Sequence, residues 1–188
     1  MNGIKFQREQ GGLGRRAAGE DHVSALLFYG NEAAALPELI DIYSLEDAKQ
    51  KGVSLAKTPI VYYHIAEFFR VATGSRLLVQ AAAEEKYTGA FTEIAQMQQH
   101  AAGAIRQVGV WVGGKNTPHV NNLNKVCEDL AAINMPLSAV IAYRLTKKEL
   151  TALPDLGTNA NPRVSVCIAQ DGAGLGAHLQ KKLGADKT

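Results

Sequence analysis

Short apolar runs alternate with longer amphipathic stretches along the chain from residue 23 onward. Each run is bounded by Gly, Pro, Asn or Ser, and this pattern is typical of strands in a sheet covered on both faces. The six predicted strands lie at residues 23–29, 39–43, 76–82, 108–112, 139–145 and 164–169. Only residues 30–38 separate the first two, so we expect those two strands to pair antiparallel.

The stretches between the runs carry helix signals. Ser44 precedes an acidic first turn, Thr58 precedes Pro59, and Thr146 with Glu149 forms a capping box. Apolar residues repeat at helical spacing within residues 61–72, 91–102, 120–131 and 175–183. This alternation predicts an α/β fold, a three-layer αβα sandwich around a mostly parallel or mixed sheet of about six strands. The side chains expected in the core include Leu27, Phe68, Leu78, Val110, Ile141 and Val166.

Residues 1–22 have no helical or strand period and contain five glycines among charged residues. They are predicted to form an extended N-terminal arm, and residues 23–188 a single α/β domain. Such an arm buries little of its own apolar surface, so we expect it to be either mobile or ordered by a neighbouring subunit. Its glycines allow close backbone approach, and its charges of both signs suit contact with an identical chain. The candidate subunit-contact residues are Gly11, Gly12, Gly14, Arg15, Arg16, Glu20 and Asp21.

Composition narrows the class of protein. The net charge is +2, with 46% hydrophobic and 20% charged residues, which excludes a disordered chain. A dedicated nucleic-acid binder would carry a larger basic excess. Residues 1–10 lack the pattern of a signal peptide, and no apolar run approaches the roughly 20 residues of a membrane helix. We therefore expect a protein of the reducing cytoplasm, in which Cys127 and Cys167 serve as small apolar residues.

Two glycine-rich runs resemble nucleotide-binding motifs. Residues 109–116 nearly match the phosphate loop, but Asn116 stands where that loop needs Ser or Thr. The preceding residues favour a strand, so we interpret the run as a strand that ends in a Gly-Gly turn. Gly172, Gly174 and Gly176 follow a strand and open a helix, yet only 12 residues follow, too few for a dinucleotide unit.

No catalytic constellation emerges from the sequence. The five histidines lack metal-ligand spacing, and neither cysteine has an electropositive sequence neighbourhood. The residues therefore favour a protein that is not an enzyme and that binds no cofactor or metal.

Several segments resemble contractile tail sheath proteins of phages and phage-derived injection systems. The first are the opening Gly11-Gly-Leu-Gly-Arg-Arg-Ala-Ala-Gly-Glu-Asp-His22, the strand Val23-Ser-Ala-Leu-Leu-Phe-Tyr29 and the helix start Ser44-Leu-Glu-Asp-Ala48. The aromatic helix Ile65-Ala-Glu-Phe-Phe69, the run Gly74-Ser-Arg-Leu-Leu-Val79 and the late strand Pro162-Arg-Val-Ser-Val-Cys-Ile-Ala169 continue the same order of features.

The resemblance implies a structural protein. Subunits would stack as rings around an inner tail tube protein, linked by terminal arms that add strands to neighbouring sheets, and would drive contraction. It also implies assembly in the cytoplasm and a final place in a virion tail or phage-tail-like particle, without nucleic acid or membrane insertion. Sheath subunits are usually considerably longer, so the chain would be a fragment, a truncated form or a compact variant. Two alternatives remain: a nucleotide- or small-molecule-binding α/β enzyme that uses the turn at residues 172–176, and a free-standing α/β binding module.

Overall fold

A computed structural model describes residues 23–113, 119–142, 160–167 and 174–183. In this part of the chain, six strands form one sheet in the order β2-β3-β1-β4-β5-β6. Their bounds are β1 Val23–Tyr29, β2 Leu39–Ile42, β3 Leu77–Ala82, β4 Ile105–Val112, β5 Ser138–Ala142 and β6 Val164–Cys167. The α/β fold with a mostly parallel sheet is thereby confirmed.

Every pairing in the sheet is parallel except that of β2 with β3. The expected antiparallel pairing of the first two strands is wrong, because β3 lies between them and pairs with both. β2 does run antiparallel to the rest of the sheet, but as an edge strand, with Leu39 opposite Gln80. β4 begins at Ile105, three residues before the predicted start at residue 108.

Helices cover both faces of the sheet. The helices are α1 Leu45–Gln50, α2 Pro59–Val71, α3 Thr92–His100, α4 Val120–Ala132 and α5 Gly174–Leu183, and short 3-10 turns occupy Asn31–Ala35 and Glu84–Lys86. One face packs against α3 and α4, the other against α1 and α2. α5 lies against α2. None of these described helices has the length and apolarity that a membrane span requires.

The helix starts agree in part with the sequence signals. The Ser44 hydroxyl accepts a hydrogen bond from the Asp47 N–H, as an N-cap should. Thr58 does precede α2, but its side chain bonds Ser54 and does not cap the helix. The Glu32 carboxylate takes that role and accepts from the N–H groups of Ile60 and Val61 at 3.0 and 3.1 Å. The capping box at Thr146 lies outside the described residues.

Four of the six side chains predicted for the core are fully buried. Leu27, Leu78, Val110 and Ile141 are at most 3% exposed. Phe68 and Val166 are half-buried and pack against the rim of the core. Val166 is more exposed than expected because β6 is an edge strand.

Candidate functional site

The chain reverses its direction across the sheet between β1 and β4. From β1 it proceeds to β2 and then β3 on one side, and from β3 it crosses to β4 on the other side. In doubly wound folds, ligands bind in the crevice outside the carboxyl ends of the strands at such a point. Gly30 directly follows β1 and Gly113 directly follows β4, so these two glycines flank the crevice. We take this crevice as the first candidate site.

The indole ring of Trp111 occupies the crevice on the face covered by α2. A Cβ atom built on Gly30 would lie 2.8 Å from Trp111 Cζ3, and one built on Gly113 would lie 2.9 Å from the same ring. The ring therefore rests against both glycines, and it also packs near Phe28 at 6.4 Å between ring centroids. Side chains with a Cβ at these two positions would displace it.

On the opposite face, an aromatic cluster covers the carboxyl end of β1. We call Tyr29, Tyr87, Phe91 and His119 the aromatic cluster; Tyr29 and Tyr87 are 4.9 Å apart, and Tyr87 and His119 are 5.9 Å apart between ring centroids. The Tyr29 hydroxyl donates to the Glu93 carboxylate at 2.5 Å. Burial, followed by that carboxylate, raises the pKa of Tyr29 well above its usual range. Tyr29 is therefore a neutral hydrogen-bond donor at physiological pH.

The phosphate-loop resemblance fails on geometry. Gly109 lies in the middle of β4, paired with Leu26 of β1, and the strand continues through Val112. A phosphate loop needs free backbone amides at these positions, whereas here they belong to a sheet. The predicted strand is thus confirmed, while Asn116 lies outside the described residues. Of the second run, Gly174 and Gly176 lie in the first turn of α5, as predicted, and Gly172 is not described.

Among the residues the structure describes, no three His, Cys, Asp or Glu side chains are grouped as metal ligands would be. Cys127 is buried in α4 and Cys167 is exposed on β6. Burial raises the pKa of the Cys127 thiol to about 11, which makes it a poor nucleophile. All seven candidate subunit-contact residues, from Gly11 to Asp21, lie outside the described residues.

The two edges of the sheet form the second candidate site, and β2 is the shielded edge. The Glu38 carbonyl accepts from Ala81 of β3, so the backbone groups of Leu39 and Asp41 point away from the sheet. The Lys51 ammonium donates to the Asp41 carbonyl on this outer side. β2 is also only four residues long and follows Pro37 closely. Short strands, prolines and lysines are the usual means of blocking an edge.

β6 is also four residues long and follows Pro162 closely, but among the described residues no lysine donates to its outer side as Lys51 does on β2. The Ala139 N–H donates to the Arg163 carbonyl, so the backbone groups of residues 163, 165 and 167 point toward β5. Those of Val164 and Val166 then point outward. The Val164 N–H donates to Asn161, but no described residue bonds the N–H or carbonyl of Val166. The outward N–H and carbonyl of Val166 are the groups that a further strand on β6 would bond.

No family model matches this chain, and no curated protein matches it.

Sequence reasoning did not identify the residues of the crevice. Trp111 was assigned to a strand, correctly, but nothing in its neighbours reveals that its ring crosses to Gly30, 81 positions earlier. The available signal was the position of two glycines directly after two predicted strands. Because parallel strands end at the same side of a sheet, such glycines meet when the strands are neighbours. The sequence alone does not give that neighbour relation.

The contact between Trp111 and Gly30 gives a direct prediction. Gly30→Ala should push the indole ring out of the crevice, shift its fluorescence emission to longer wavelength, and lower the free energy of unfolding by about 1–2 kcal/mol. Trp111 is the single tryptophan, so its emission reports this site alone. Gly74→Ala is the control. Its φ of +77° makes the substitution strained, but a Cβ atom on Gly74 has no described atom within 4 Å and does not contact Trp111. Unchanged emission in Gly30→Ala would contradict the packing described.

Proposed function

We propose that this chain is a structural subunit of a contractile tail sheath, which assembles into stacked rings around an inner tube and drives contraction. The observation that carries the proposal is the outward-facing N–H and carbonyl of Val166 on the edge strand β6, which no described residue bonds, in a sheet whose other edge is shielded by Lys51. Strand addition at such an edge gives affinity through main-chain hydrogen bonds and requires no particular side chains. The order of sequence features resembling sheath proteins supports the same function.

In this proposal the arm at residues 1–22 of one subunit adds to β6 of its neighbour. The arm contributes Gly11, Gly12 and Gly14 for close backbone approach, and Arg15 and Arg16 for contacts with acidic groups. The partners are other copies of the chain and an inner tube protein. The proposed location is the cytoplasm during assembly and then the tail of a virion or phage-like particle.

The filled crevice also favours an interaction protein over a ligand-binding enzyme. Trp111 on one face and the aromatic cluster on the other occupy the position that a doubly wound enzyme leaves for its ligand. The enzyme alternative predicts that a nucleotide raises the melting temperature by mass action. A thermal-shift screen that found such a nucleotide would support that alternative.

A proline at position 166 tests the proposed interface. Val166→Pro removes an outward N–H while leaving the backbone groups that bond β5, so the domain should fold but self-association should be lost. Val166→Ala is the matched control, because it removes the same packing and keeps the N–H. We expect sedimentation velocity to show concentration-dependent assembly for the wild type and Val166→Ala, and monomers for Val166→Pro. Assembly of the proline variant at wild-type strength would exclude β6 as the receiving edge.

Deletion of residues 2–19 tests the other partner in the interface. The melting temperature should stay within a few degrees, since the arm is expected to contribute little to its own core, while association is abolished. Unfolding on deletion would make the arm part of its own domain. Undiminished association would remove the arm from the interface and leave the sheath proposal without its physical support.

A further inference from the structure

The connection from β3 to α3 ends in a residue whose backbone conformation its side chain does not favour. Phe91, immediately before α3, has φ +52° and ψ +37°, in the left-handed region that a bulky side chain rarely adopts. Gly89, two residues earlier, has φ +75°, which glycine adopts without steric cost, so the strain lies at Phe91. Backbone strain of this kind persists only where surrounding contacts over-determine the conformation.

Those contacts come from the first turn of α4. The Asn122 amide donates to the Gly89 carbonyl at 3.0 Å, and the His119 N–H donates to the Tyr87 hydroxyl at 3.3 Å. The His119 ring lies so close to Gly89 that a Cβ atom there would be 2.1 Å from His119 Cδ2. Three separate contacts from one helical turn thus restrain the strained connection.

We infer that residues 83–91 form a latch, which α4 holds closed over the carboxyl end of β1 and which opens as a unit ahead of global unfolding. Glu85, Lys86, Thr88 and Ala90 are exposed, so the buried contacts of the latch come mainly from Tyr87, Gly89 and Phe91. Release of the strain at Phe91 offsets part of the cost of exposing its ring. Such segments belong to the low-stability end of local unfolding.

Opening of the latch would uncover Tyr29 and Glu93. In the closed form the Tyr87 ring packs against Tyr29, whose hydroxyl bonds Glu93. The crevice between β1 and β4 would then become accessible from this face, while Trp111 still filled it from the other. This conformational device does not depend on the sheath proposal.

Hydrogen–deuterium exchange followed by mass spectrometry tests the latch. The N–H groups of Lys86 and Tyr87 donate to the carbonyls of Ala83 and Glu84, so their exchange reports opening. The double variant His119→Ala/Asn122→Ala should exchange at least tenfold faster over residues 83–91, with little change in β1 or the C-terminal half of α3. Asn121→Ala is the control, since Asn121 lies on the same turn but bonds Asn161; it should change latch exchange less than twofold.

Two results would overturn the inference. Unchanged exchange over residues 83–91 in the double variant would mean that the His119 ring and the Asn122 amide do not hold the latch closed. An equal increase in β1 and throughout α3 would mean that the connection opens only with the whole domain. A second variant, Gly89→Ala, disrupts the same contact through its added Cβ atom, which would force the His119 ring away. It should accelerate hydrogen exchange in the same peptides.

Discussion

Gln98→Leu should lower the free energy of unfolding by about 3–5 kcal/mol, because a single buried amide satisfies three backbone groups. Gln98 is fully buried in α3. Its Nε2 donates to the carbonyls of Ile105 and Met135 at 3.1 and 3.0 Å, and its Oε1 accepts from the Ile105 N–H at 3.0 Å. Leucine fills a similar volume but leaves all three groups buried without this partner.

Urea unfolding measures this effect, with Gln96→Leu as the control. Gln96 lies on the same helix but is exposed, so its replacement should change stability by no more than about 0.5 kcal/mol. The two variants make the same chemical change and differ in burial and hydrogen bonding. A loss below about 1 kcal/mol for Gln98→Leu would show that water or a rearranged backbone replaces the three hydrogen bonds.

Gln98 shows what hydrophobic periodicity can predict and what it cannot. Helical spacing places it on the apolar stripe of residues 91–102, and the structure confirms that this face is buried. The same pattern cannot identify its partners, because Met135 is 37 residues away and follows a different helix. A polar residue on an apolar stripe indicates a buried hydrogen bond, but only the tertiary fold shows which group is its partner.

The sequence likewise predicts the bounds of a strand better than it predicts which strands are neighbours. The apolar run at Val23–Tyr29 coincides with β1, since a strand buried on both faces is apolar at most positions. The partner of β2 was predicted incorrectly, because a short connection suggested a hairpin with β1. Instead the connection from β1 crosses the carboxyl end of β3, where the Gly30 N–H donates to the Ala82 carbonyl. At the opposite end, a bidentate ion pair of Arg76 with Asp41 joins β2 to the start of β3. That ion pair links residues 35 positions apart and has no local signature.

His64 should make the domain less stable in mild acid. It lies in α2 between the rings of Phe28 and Tyr63, at 5.6 and 5.0 Å between centroids. Burial lowers the pKa of its imidazole to about 4, against about 6.5 in an unfolded chain. Between these two pKa values, the imidazole is protonated in the unfolded state and neutral in the folded state. The contribution of neutral His64 to stability is complete above pH 6.5 and is lost progressively as the pH falls to about 4.

The size of this loss follows from linkage. Its upper limit is about 3 kcal/mol, and the partial exposure of His64 reduces the expected value to about 1–2 kcal/mol at pH 4. Because carboxylates also titrate in this range, the measurement compares urea unfolding of the wild type and His64→Gln at pH 7.5, 5.5 and 4. Glutamine carries no charge at any of these values, so the variant should lose less stability between pH 7.5 and 4 than the wild type. Parallel pH profiles for the two proteins would mean that His64 is protonated as easily in the folded state as in the unfolded one.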